Sequence, residues 1–377
     1  MRLNGSSSHE PAWADLSVFS TCPDSAEKPG RQYLDRVRDV ARWSERYGCR
    51  GTLIDCDNRL VDPWLVAQVV IQSTQKLAPL VAVHPAYMHA YSVANMIASL
   101  AELYGRKVCV NWVAGGFKKD LEALADPTPH HARYDRLIEY ASVVRQLTRG
   151  GAVTHAGEYV DVRGLTLQPA LDPALEPDFF LSGSSPTDRA AARALDALPV
   201  NYALPPEEAS ASIEEAGPVP GLRLGIIARY DRDVAWRTAY TRFPPDRSGL
   251  LMRQLARKVS DSHWHERLCR LADPGIEEDS PYWMGPFEHY RTMCPYLVGS
   301  HEEVAGVLAA YIQQGVRTFI LDAPEREEDL REARLAFEIA TNTAAEASAM
   351  ERGAEAAMSF AAKPGAMGSG DEAVARR

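Results

Sequence analysis

The sequence predicts an α/β protein folded as a (β/α)8 barrel of the TIM type, and three features carry that expectation. Eight short apolar runs recur along the chain, and most are separated by stretches with apolar residues at helical spacing. The runs are continuous rather than alternating, which suits strands buried on both faces. Repeated strand–helix units of this kind close into a parallel barrel wrapped by helices.

The elements follow in order. Leu16–Thr21 is the first strand. Gln32–Tyr47 sets Leu34, Val37, Val40, Ala41 and Trp43 at helical spacing, and Gly48 follows as a C-cap signal. Thr52–Ile54 is the second strand, with a helix over Asp62–Thr74. Leu80–Val83 is the third, with a helix over Ser92–Tyr104. Val108–Val113 is the fourth, and His131–Thr148 is an amphipathic helix. Thr154–Leu167 alternates polar and apolar residues about a glycine and reads as a β-hairpin. Asp178–Ser182, Pro199–Ala203 and Leu222–Ala228 are strands five to seven. Val316–Asp322 is the eighth, between a helix over Glu302–Gln314 and another from Glu325 onward.

Residues 1–350 therefore read as a single barrel domain. Arg242–Leu297, rich in proline, charge and aromatics, reads as an insertion at the face where barrels grow active-site loops. Pro205–Gly221 reads as a surface connection. Residues 351–377 are small, polar and glycine-containing, and read as a disordered tail.

The 377 residues are 46% hydrophobic and 24% charged, ordinary for a soluble globular enzyme. A net charge of −10 argues against nucleic acid or an anionic membrane as partner. Six cysteines are scattered without CxxC or zinc spacing, which fits a reduced, cytoplasmic protein. MRLNGSSSHEPAW lacks the apolar core of a signal peptide, and no run is long enough to span a membrane. With no HExxH, no GxSxG and no cluster offering three convergent ligands, no metal is expected.

Function in a barrel sits at the C-terminal strand ends. Those ends carry Asp55-Cys56-Asp57, His84-Pro85, Asn111-Trp112 with Gly115-Gly116, Gly183-Ser184-Ser185, Arg229-Tyr230 and Asp322. Each alone has a plainer explanation: Asp55 as a turn residue, His84 as a hydrogen-bonded core histidine, Asn111 satisfying a backbone group. Together they place polar residues where a pocket belongs. Asp178–Leu195, DFFLSGSSPTDRAAARAL, ends a strand in Gly-Ser-Ser where a helix begins. Ser185 suits an N-cap and Pro186 a first turn, so the helix start is either an anion cradle or simply a capped end. His130 and Tyr134, four apart, share one face of a helix start that also carries Arg133.

On these residues the chain resembles the luciferase-like flavin-dependent monooxygenases, nearest the alkanesulfonate monooxygenase type. The similarity runs from about Leu16 to Thr341. It is carried by LVAVHPAYMHAYSVANMIASLAELYGRKVCVNWVAGGFKKDL, HHARYDRLIEYASVV, THAGEYVDVRGLTLQP, FFLSGSS and YLVGSHEEVAGVLAAYIQQGVRTFIL. The resemblance implies reduced FMN at the top of the barrel and O2 as co-substrate. It also implies a separate NAD(P)H-dependent flavin reductase, and a homodimer or homotetramer. It assigns Ser184 and Ser185, turned by Gly183, to the phosphate, and His130 and Tyr134 to the phosphate and ribityl chain. Asn111 and Val113 fall at the flavin edge, and Asp55 and His84 flank the isoalloxazine.

The departures lie on the substrate side. The cysteine expected after the second strand is Leu60, with Cys56 earlier. An Arg-Leu-His pattern reads Arg223-Leu224-Gly225, a loop arginine falls on Tyr290 with Arg291 beside it, and a Tyr-x-His reads Ala323 and Glu325. A sulfonate substrate is therefore not expected. The expectation is a small organic molecule or a carrier-tethered intermediate of specialised metabolism, with His84, Arg223, Tyr290 and Arg291 as catalytic candidates and Tyr282–Arg291 as a lid. An F420-dependent reductase or dehydrogenase of the same superfamily and an inactive flavin-binding protein are the alternatives.

Overall fold

The computed structural model of the chain describes residues 15–26, 30–115, 118–183, 185–210, 218–246, 248–251, 253, 267–269, 271 and 280–361. Eight strands close a parallel barrel: β1 (Ser17–Thr21), β2 (Gly51–Ile54), β3 (Ala78–Val83), β4 (Cys109–Trp112), β7 (Phe179–Ser182), β8 (Leu198–Tyr202), β9 (Gly221–Arg229) and β12 (Thr318–Leu321). Each pairs in parallel with the next, and β12 returns to β1 through Ser17–Phe19 against Thr318–Ile320. The numbers between belong to an antiparallel hairpin, β5 (Val153–Ala156) and β6 (Asp161–Leu165), and to β10 (Tyr282–Trp283) and β11 (Tyr296–Ser300). The eight expected strands are thus the barrel strands, and the expected hairpin is present.

The helices form for local reasons. Asp62 accepts N–H groups from Trp64 and Leu65 at the start of Pro63–Ser73, and Gly105 ends Ala90–Tyr104 in the left-handed conformation. Ser185 caps Pro186–Leu195 and Ser300 caps His301–Gln313, each in a reciprocal capping box with the third helical residue. Their apolar faces pack on the outer barrel surface in one continuous core. Among the described residues no helix is long and apolar enough to cross a membrane.

One expectation needs correction, and the expected insertion over 242–297 gains detail at its end. β9 is nine residues long, so beyond Leu224 it outgrows its barrel partner β12 and pairs Gly225–Arg229 in parallel with β11, which carries β10 antiparallel. Much of the remainder of the expected insertion lies outside the described residues. The last helix, Glu327–Ala361, continues past the expected tail boundary at 351, and residues 362–377 lie outside the described residues. The alanine- and glutamate-rich sequence there favours helix, which outweighed the reading from polarity.

The barrel interior positions the site. Its plug is one apolar layer made by Phe19, Leu53, Leu80, Cys109, Phe180, Val200 and Ile320, one from each of seven strands. Side chains two apart on a strand share a face, so the next inward residues are Thr21, Asp55, Ala82, Asn111, Ser182, Tyr202 and Asp322. All seven line the cavity above the plug.

Candidate active site

The cavity encloses about 1000 Å3 at the C-terminal strand ends, at the upper end of the range for small-molecule sites. Of the sequence-nominated residues, Asp55, His84, Asn111, Val113, His130, Tyr134, Gly183, Ser185, Arg223 and Arg291 line it. Tyr290 does not; it sits beside it with a φ of 53°. Ser184 lies outside the described residues.

One end is built by three segments. Asn111 is 2% exposed, and its amide oxygen accepts from Ser182 Oγ at 3.0 Å, so the NH2 group is what it can offer a ligand. His130 and Tyr134 stack edge to face one helical turn apart, ring centres 5.4 Å apart. Gly183 turns at a φ of 152°, and Ser185 begins the helix. The neighbouring Arg133 is buried and donates to the carbonyls of Thr128 and Gly115, which fixes the turn after β4.

His84 is 4% exposed, and Nδ1 accepts from the Ala86 N–H at 3.1 Å, so in the neutral ring the proton belongs on Nε2. Nε2 faces Gly115, where a Cβ would come within 2.6 Å of it. Burial, then the positive charge of Arg136, pulls its pKa down to about 4. His84 is therefore neutral at physiological pH and shapes the Ala114–Gly115 turn.

The other end is ionic. Arg223 donates to both oxygens of Asp55, at 3.2 and 2.8 Å, in a bidentate pair, and its guanidinium lies 5.7 Å from the Tyr202 ring centre. Tyr296 was not foreseen. It comes from β11, is 1% exposed, and its hydroxyl donates to Asp322 at 2.9 Å. Its ring fills the space of a side chain at 225: a Cβ on Gly225 would lie 2.2 Å from Tyr296 Cζ. The position that resembled a missing histidine is thus filled from another strand. Arg242, also unforeseen, lies 5.8 Å from the Tyr296 ring centre and is tied to Asp329 at 3.2 Å.

The lining holds Arg36, Arg223, Arg242 and Arg291 against Asp24, Asp55, Asp57, Asp120, Asp188, Asp322 and Glu325, a formal balance of 4 − 7 = −3. Burial pushes the Cys22 and Cys56 thiols up to about 12, so neither is a thiolate nucleophile. Among the described residues no group of acidic, histidine or cysteine side chains is arranged to hold a metal ion.

Comparison with known proteins agrees with this architecture. A family model described as luciferase-like monooxygenase matches residues 15–318. A relative from Niallia circulans is 31% identical over 306 residues, covering 79% of this chain and 89% of its own. It is the 4-(gamma-L-glutamylamino)butanoyl-[BtrI acyl-carrier protein] monooxygenase BtrO. Among solved structures, EDTA monooxygenase (EmoA) from Chelativorans sp. BNC1 superposes with a TM-score of 0.68 at 15% identity, covering 88% of this chain and 93% of that one. The oxygenating constituent of 3,6-diketocamphane monooxygenase from Pseudomonas putida, in complex with FMN, gives a TM-score of 0.62 at 15% identity, covering 86% and 96%.

Proposed function

The chain belongs to the luciferase-like monooxygenase family and is a monooxygenase, and on that premise we propose that it is the oxygenase of a two-component system. In this reading it takes reduced FMN from a separate NAD(P)H-dependent reductase and oxygenates an acyl group tethered to a carrier protein. The observation that carries the reading is the division of the cavity. Hydrogen-bond donors and a turned helix start, with the Asp188 carboxylate beside them, gather at one end, and the Arg223–Asp55 pair with Tyr202 and Tyr296 gathers at the other. The carrier-tethered substrate is supported by the activity of the relative from Niallia circulans.

The residues fit such a cofactor. Ala82, Val113 and Gly115 leave flat walls for a ring, Asn111 can donate to its edge, and His130, Tyr134 and the Ser185 hydroxyl can serve the chain and phosphate. Reduced FMN, when bound, supplies the electrons that activate O2, one oxygen atom going to substrate and the other to water. The protein's own share is positional. The apolar plug excludes water from below. Arg223, fixed in two directions by Asp55, holds a cation where negative charge develops, and its bidentate geometry needs no rearrangement. Tyr296, held by Asp322, presents a hydroxyl oxygen to the substrate end.

The test is anaerobic titration with reduced FMN and with reduced F420, followed by oxygen uptake in the presence of a 4-(gamma-L-glutamylamino)butanoyl thioester on an acyl-carrier protein, the substrate of the relative from Niallia circulans. The expected result is binding of reduced FMN, oxygen consumption that responds to the acyl thioester, and a product heavier by one oxygen atom. Preferential binding of F420 without oxygen consumption sinks the reading.

A further inference from the structure

The helix that begins at Pro186 carries its own anion. Asp188 lines the cavity, is 4% exposed, and accepts the Ser185 N–H through Oδ2 at 2.6 Å. The Ser185 hydroxyl accepts the Asp188 N–H at 3.1 Å in return. Asp188 Oδ1 is buried without a well-formed hydrogen bond, with the Tyr134 hydroxyl interacting with the carboxylate, an expensive state for a carboxylate oxygen. The carboxylate also lies hard against the turn, since a Cβ on Gly183 would stand 2.3 Å from Asp188 Cγ and Oδ1. The Tyr134 phenol is raised by burial, then by the nearby Asp188 charge and by its hydrogen bond to that carboxylate.

A bound phosphate at this helix start needs the same groups: an N-cap N–H, the positive end of the helix dipole, and the neighbouring hydroxyls. Two anions sharing those donors at close range repel strongly in a partly buried site. We propose that Asp188 is an internal competitor for the phosphate of the ligand. A phosphate takes the Ser185 N–H only as the carboxylate gives it up and turns aside, so the cradle holds phosphate weakly and releases it readily. The inference rests on the flavin reading above, and suits a protein that receives and returns flavin on every turnover. The rival role for Oδ1, accepting from a ribityl hydroxyl, predicts the opposite sign.

The test uses the full chain with FMN and riboflavin, which differ only in the phosphate. Asp188→Asn keeps an acceptor for the Ser185 N–H and so preserves the helix start, whereas Asp188→Glu keeps the charge. Asp188→Asn is expected to tighten FMN by about tenfold and to slow its release, with riboflavin shifted by less than about twofold and Asp188→Glu showing no gain. FMN affinity that is unchanged or weaker in Asp188→Asn overturns the proposal, as does an equal gain for riboflavin. Equal loss for both flavins assigns Asp188 to the ribityl chain instead. Flavin that binds wild type and Asp188→Asn alike refutes the competitor and leaves the flavin reading standing. Binding of neither flavin to any form refutes both.

Discussion

At the scale of single residues, the site depends on space as much as on charge. Gly225 faces inward on β9, two residues above Arg223, and the ring of Tyr296 lies where its side chain would be. Gly225→Ala drives a methyl into a fully buried ring and is expected to cost about 1–3 kcal/mol in urea unfolding. Adding Tyr296→Ala on top should cost less than it does in wild type, because the two side chains contend for one volume. His84 makes a prediction in pH. Its folded pKa, about 4, lies below the ordinary 6.5, so below pH 6.5 the unfolded chain takes up a proton that the folded chain refuses. Stability is therefore intact above 6.5 and falls as pH drops toward 4, by about 3 kcal/mol for this group. His84→Asn keeps an acceptor for the Ala86 N–H and removes the titration. Its unfolding free energy should be flatter than wild type between pH 7 and 4.5, and a parallel curve would show that His84 is not the source.

At the scale of elements, what could be read from sequence was what repeats locally. Each barrel strand announces itself as an apolar run, and period two then carries the reading from the plug residue to the site residue above it: from Leu53 to Asp55, from Cys109 to Asn111, from Phe180 to Ser182. Tyr296 and Arg242 could not be read that way, because their place depends on β9 outgrowing the barrel and recruiting a strand some seventy residues later. Asp188 is one acid in the first turn of its helix, with nothing in the sequence to single it out, and the turn at Gly183 lies directly against it. The hairpin shows how a remote side chain fixes an element. The Glu139 carboxylate accepts the N–H groups of Glu158, Tyr159 and Val160 at the β5–β6 turn. Glu139→Ala should destabilise the protein by about 1–2 kcal/mol and raise hydrogen exchange at those three amides first. Unchanged exchange there would show that the turn holds itself.

At the scale of the whole molecule, the barrel keeps two sets of groups apart on one floor. Asn111, His130 and Ser185 belong to β4, β7 and the helices that follow them, whereas Asp55, Arg223, Tyr296 and Asp322 gather from β2, β9, β11 and β12. The direct hydrogen bonds within each set stay within that set: Ser182 to Asn111 and Asp188 with Ser185 on one side, Arg223 to Asp55 and Tyr296 to Asp322 on the other. Sites without shared partners contribute independently. Under the proposed function, His130→Ala should weaken reduced FMN binding by about tenfold and leave product formed per O2 consumed unchanged once flavin saturates. Arg223→Lys keeps the charge but gives up the bidentate grip on Asp55. It should leave flavin affinity alone and lower product per O2, the lost oxygen appearing as hydrogen peroxide. In the double variant flavin affinity should match that of His130→Ala and product per O2 that of Arg223→Lys, each to within about 0.5 kcal/mol. A larger coupling would mean that the floor joins the two ends through the barrel, and that cofactor and substrate are sensed by one connected site.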